Sequence, residues 1–139
     1  MKTAFVVLAA AVLAAGCAHE QAPGAGAQGQ SDQAEAALAK TLGGRVAGPP
    51  QECVNLPNLG NHKVYGSTVI VFQEDATDVL YVNRPPAACP GLAFGRALKI
   101  RGTTTQLCRG DTVATLEPET GVEYGACTLG TFVPYRRSR

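Results

Sequence analysis

No tryptophan occurs among the 139 residues, so the segment from about residue 49 onward can build only a small hydrophobic core. Histidine is nearly missing too, with two in the chain. His19 lies two residues after Cys17, and His62 sits in LGNHK, a turn-like stretch before a strand. Neither stands where a Ser-His-Asp triad would need it, and His62 reads as a surface residue. There is no C-x-x-C pair, the motif of thiol redox catalysis, and no G-x-x-x-x-G-K-[ST] phosphate loop. An excess of charge is also lacking: 12 basic residues face 11 acidic ones. Removing residues 1–16 takes away Lys2 and leaves 12 − 1 = 11 of each sign, which gives no electrostatic basis for nucleic-acid binding.

The one long apolar run, Ala4 to Leu13, is shorter than the roughly 20 residues a membrane-spanning helix needs. Placed after Lys2 and before Ala14, Ala15 and Gly16, it reads as the core of a secretory signal. Cys17 follows at once. The stretch LAAGCA (Leu13 to Ala18) resembles the lipobox of bacterial lipoproteins, with Ala14 at the place where Leu is commoner. The resemblance implies cleavage before Cys17 and lipidation of its thiol. One acyl chain binds a bilayer only reversibly, whereas the three carried by this class anchor firmly. Ala18 is not the Asp that retains such proteins in the inner membrane, so the expected address is the periplasmic face of the outer membrane of a Gram-negative bacterium.

Past the anchor, residues 17–48 divide in two. AHEQAPGAGAQGQ (Ala18 to Gln30) has nothing large to bury and reads as a flexible tether. SDQAEAALAKTLGG carries Asp32 and Glu35 at capping-box spacing and Gly43–Gly44 as a stop, which predicts one short, alanine-rich helix that is marginal unless docked. From Pro49 and Pro50 the texture changes to short β-branched and aromatic runs separated by turns. Strands are predicted at Cys53 to Leu56, Lys63 to Gln73 with a break at Gly66, Val79 to Val82, Phe94 to Arg101, Gln106 to Cys108, Thr112 to Leu116 and near Thr131 to Val133. Glu74 to Asp78 reads as a hairpin turn, and Gly102 to Thr105 as a break between strands. The expected fold is all-β: a small antiparallel barrel or sandwich of about six strands over residues 49–135, followed by a basic tail at 136–139.

Without Cys17, four cysteines remain, and in an oxidising compartment they supply two disulfides. Three pairings are possible. Cys53 with Cys127 and Cys89 with Cys108 is preferred, because the first joins the domain ends and the second closes a loop of about 20 residues, contributing roughly 3 kcal/mol. A four-thiolate zinc site is disfavoured, since successive cysteines lie 36, 19 and 19 positions apart, with no close pair. No metal or cofactor is implied.

Other candidates have plain readings. Glu74, Asp75, Asp78, Asp111, Glu117, Glu119 and Glu123 offer carboxylates for acid-base work, but most fall where turns ordinarily place acids. Arg109-Gly110-Asp111 reads as a turn in which Asp111 bonds nearby amides. Tyr65, Phe72, Tyr81 and Phe94 read as core or cross-strand residues, and Arg136, Arg137 and Arg139 as a solvated, frayed end.

The segments GRVAGPPQECVNL, TVIVF, YVNRPP, ACPGLAFG, QLCRGDTVATLE and ACTLGTFVPY, which include all four downstream cysteines, resemble a family of uncharacterised proteobacterial lipoproteins, a domain of unknown function. That resemblance implies the cysteine framework and no assigned activity. The expected function is a lipid-anchored, non-catalytic β domain that binds an envelope protein or a small ligand, or serves the envelope structurally. A carboxylate-based envelope hydrolase or carbohydrate-active enzyme is the alternative.

Overall fold

The computed structural model describes residues 25–94, 96–101 and 105–138. In chain order the elements are α1 (Ala25–Leu42), β1 (Arg45–Ala47), β2 (Cys53–Asn55), β3 (Leu59–Tyr65), β4 (Val69–Glu74), β5 (Leu80–Asn83), β6 (Ala97–Ile100), β7 (Gln106–Cys108), β8 (Thr112–Leu116), β9 (Glu123–Thr128) and β10 (Phe132–Arg137). Every strand pairing is antiparallel. The strands make a five-stranded sheet in the order β1-β10-β5-β4-β3, a three-stranded sheet β6-β8-β9 and a two-stranded ribbon β2-β7. Among the described residues no sheet closes on itself, so of the two architectures expected the molecule has the sandwich.

β4 and β5 explain why their sequences read as unbroken apolar runs. Val69–Phe72 and Leu80–Asn83 are buried at every position, because the five-stranded sheet is covered on both faces. Ile70, Phe72, Val79, Tyr81 and Phe132 face a core shared with Val54, Leu107 and Val113 of the other two sheets and with Leu129 of the β9–β10 connection. Val69, Val71, Leu80 and Val82 point the opposite way, against Leu38 of α1, with Leu42, Tyr65 and Tyr135 at the margin. α1 is thus the third layer. Leu38, 2% exposed, is its one buried side chain among those described, as the alanine-rich sequence allows.

α1 begins earlier than expected. Ala25 to Gln30, read as part of the tether, are its first residues, so Asp32 is mid-helix and not a cap. Glu35 turns instead to Arg84. The helix does stop where the glycines stand, with Gly44 at φ 73° in the left-handed region.

The run Lys63 to Gln73 is broken at Gly66, as expected, into the end of β3 and most of β4. Gly66, at φ 60°, turns the chain between β3 and β4. The basic end is a strand as well: β10 continues through Arg137, and Arg136 and Arg137 pair with Val46 and Arg45 of β1. Those two residues are therefore not frayed, while Arg139 lies outside the described residues.

The disulfides are Cys53–Cys108 and Cys89–Cys127, which corrects the expected pairing from nested to interleaved. Register accounts for the first. Cys53 and Cys108 stand directly opposite each other on β2 and β7, with Cα atoms 4.0 Å apart. The second docks the loop after β5 onto the three-stranded sheet. There Thr115 donates its hydroxyl to the Pro90 carbonyl at 2.6 Å, and a Cβ on Gly125 would lie 2.8 Å from Pro90. Cys89 is carried to Cys127 by that contact, and sequence spacing does not reveal it.

Candidate functional site

Four segments far apart in sequence meet at the end of β5. Asn83 is fully buried, yet its side chain is satisfied: Nδ2 donates to the Gly130 carbonyl at 2.7 Å, and Oδ1 accepts from the Gly130 amide at 2.9 Å. This pair of hydrogen bonds fixes the β9–β10 connection against β5. Gly130 is required there by space, since a Cβ would fall 2.2 Å from the Arg84 carbonyl oxygen. The Arg84 side chain leaves this floor for the surface.

The opposite wall is the Arg109–Gly110 turn after β7. Gly110 sits at φ 90°, and Asp111 Oδ2 accepts from the Cys108 amide at 2.7 Å, the local bonding its position suggested. Gly110 donates its amide to the Leu129 carbonyl at 3.0 Å and Leu129 donates to the Asp111 carbonyl at 2.9 Å, so the turn is stitched to the connection that Asn83 holds. Arg109 donates from its backbone to the Glu52 carbonyl at 2.7 Å and from Nε to Glu52 Oε2 at 2.6 Å. Between the walls lies a cleft of about 460 Å³ lined by Glu52, Arg84, Pro86, Arg109, Gly110, Thr128, Leu129 and Gly130. Pro86 is exposed in its lining while Leu129 is 1% exposed, and Arg84 and Arg109 bring it two cations.

Each guanidinium is held by a carboxylate of the same chain. Arg84 Nη1 and Nη2 donate to Glu35 Oε1 and Oε2 at 2.5 and 2.9 Å, a two-pronged pairing that reaches across from α1. The Arg84 hydrogen bond holds the Glu35 carboxyl below its ordinary range, and Glu35 in turn raises Arg84. Arg109 has Glu52. All four side chains are half-exposed or more, so these are weak surface pairs.

Two further clefts differ in character. One of about 530 Å³ lies between α1 and the β3–β4 hairpin, beside Ala34, Ala37, Tyr65 and Ser67, with no charged side chain in its lining. The other, about 190 Å³, adjoins Arg45 and Asp78. Asp78 has a positive φ of 54° and accepts from Arg45 Nη2 at 2.9 Å and from Arg137 Nε at 2.8 Å, which keeps its carboxyl below the usual range.

The carboxylates expected as acid-base candidates are dispersed. Glu74 accepts from Thr77, and Glu123 accepts from Lys99 and Arg101, which lower its pKa. Asp78 and Asp111 are held as described above. None of the three clefts is lined by two carboxylates. His62 lies within β3 opposite Phe72 and not in a turn; its ring is 6.3 Å from that of Phe72, and desolvation pushes its pKa down. Phe72 and Tyr81 are core residues, and half-buried Tyr65 shares a 2.6 Å hydrogen bond with Thr41. Phe94 falls in a 3-10 turn, not a strand. Among the described residues no group of three or more His, Cys, Asp or Glu side chains is placed to hold a metal ion, and no helix is long and apolar enough to cross a membrane. Cys17, the expected lipidation site, and His19 lie outside the described residues.

Glu52, Arg84 and Asn83 were not singled out as site residues from sequence. The only signal was that their segments, PPQEC and YVNRPP, join QLCRGD and ACTLGTF among the stretches carrying the family resemblance. Comparison with protein-family models, curated proteins and solved structures finds no match to the chain.

Proposed function

We propose that this chain is a lipid-anchored lipoprotein of the bacterial envelope, placed by Cys17 on the periplasmic face of the outer membrane, whose non-catalytic β domain binds a ligand or an envelope partner at the Arg84–Arg109 cleft. The observation that carries the reading is the pairing of the four downstream cysteines with one another, which leaves Cys17, in LAAGCA, as the odd thiol. Two structural disulfides suit an oxidising compartment, and a lipobox-like stretch supplies a separate role for the fifth cysteine. The cleft supports binding over catalysis. It offers two cations, each already paired with a carboxylate, beside exposed Pro86, and Glu52 is the one acid in its lining, with no second for proton transfer.

The start of α1 refines how the domain is carried. Eight chain steps lead from Cys17 to Ala25, since 25 − 17 = 8, and fully extended they span at most about 29 Å. The β domain therefore sits near the bilayer. The test is fractionation of cells expressing the full chain or its Cys17→Ser variant. The wild-type protein is expected with the outer membrane and the variant in the soluble periplasm; membrane association of the variant overturns the anchor.

A further inference from the structure

We propose that the Arg84–Arg109 cleft binds a ligand bearing two carboxylates on a short apolar body, and that the ligand takes Arg84 from Glu35 and so loosens α1. This rests on the reading of the domain as a binding module. Both arginines already grip a carboxylate, from Glu35 on α1 and from Glu52 beside β2, so the chain's own acids occupy the positions of the two anionic groups. The two-pronged Glu35–Arg84 contact is the geometry by which guanidinium recognises a carboxylate. Of five N–H donors on a guanidinium, that contact uses two on Arg84, and the Glu52 contact uses one on Arg109.

The resident carboxylates are replaceable because they are solvated. Half-exposed ion pairs contribute little, and a ligand that touches both arginines at once also covers Pro86, the exposed apolar residue of the lining. The frame that receives it is rigid: Asn83 locks Gly130, the Arg109–Gly110 turn is stitched to Leu129, and the Cys53–Cys108 bond closes the ribbon beneath Arg109. α1 is the element free to respond. It is held to the sheet by Leu38, by the Thr41–Tyr65 hydrogen bond and by Glu35–Arg84, and of these only the last is shared with the cleft.

A dicarboxylate reaches the cleft either as a free metabolite or as part of an acidic peptide, and two probes separate them: glutarate and the dipeptide Ala-Glu. The full chain is titrated with each, and with inorganic phosphate, while the amide resonances of Gly110, Leu129 and Gly130 and the hydrogen exchange of α1 are followed. At least one dicarboxylate is expected to saturate these resonances and to speed exchange in α1. R109Q should weaken binding at least tenfold, whereas E35Q and E52Q, both at exposed positions in weak ion pairs, should tighten it several-fold by removing the competing acids. In E35Q the ligand should no longer alter α1 exchange. Absence of saturation by either dicarboxylate, tighter binding of phosphate than of both, or E35Q and E52Q affinities at or below wild type overturns the proposal. None of these results bears on the Cys17 fractionation, so failure here is distinguishable from failure of the anchor.

Discussion

Glu35 on the helix and Arg84 at the end of β5 meet fork to fork, Oε1 on Nη1 at 2.5 Å and Oε2 on Nη2 at 2.9 Å, and tie the outer layer of the fold to the rim of the cleft. The arginine lowers the Glu35 pKa in the folded chain from its ordinary 4.5. The stabilisation is therefore present above about pH 4.5 and lost as pH falls through the lowered folded value. Because both groups are half-exposed, it amounts to at most about 1 kcal/mol and shrinks with salt. Hydrogen exchange of α1 amides should accelerate at acid pH, and E35Q should remove that step in the profile.

Leu38 is the main apolar attachment of α1. Leu38→Ala should cost about 2–4 kcal/mol of helix docking. Because the remaining helix positions are largely alanine and polar, far-ultraviolet circular dichroism should lose helical signal while β4 and β5 keep slow hydrogen exchange. Simultaneous loss of both signals would show that the outer layer and the sandwich unfold as one unit.

The cleft floor depends on Asn83 and Gly130. Asn83→Leu removes two hydrogen bonds and strands the part-buried N–H and C=O of Gly130, an expected loss of about 2–3 kcal/mol. Gly130→Ala should be at least as damaging, because its new methyl meets the Arg84 backbone and no flexible side chain can move aside. Urea denaturation of the two variants checks both.

The interleaved disulfides are open to direct mapping. Proteolysis without reductant should release peptides joined through Cys53–Cys108 and through Cys89–Cys127. Removing either bridge by paired alanine substitution should cost about 4 kcal/mol by the chain-entropy argument, since the loops span 55 and 38 residues.

Much of the fold was legible in the residues. VIVF, QLC and TVATL announced strands by their β-branched content, and Glu74 to Asp78 announced a hairpin. The strands that escaped notice lack that texture: β1 is the tripeptide Arg45–Ala47, and β9 is interrupted by Gly125. The first residues of α1 escaped for a related reason, because Gly26 and Gly29 lower the helical drive of a segment otherwise made of alanine and glutamine, which reads as a tether. The disulfide partners depend on which strands become neighbours, and antiparallel register between β2 and β7 is a tertiary fact. The cleft was least legible. Asn83 is an ordinary strand-end amide until Gly130 arrives from 47 residues away to take both its polar atoms.

The measurement that tests the central claim most directly is the intact mass of the protein purified from outer membranes. The account predicts a chain that begins at Cys17 and carries the added mass of acyl groups on that residue, with all four downstream cysteines oxidised. An unmodified N-terminus, or a mature chain that begins at any other residue, would contradict it.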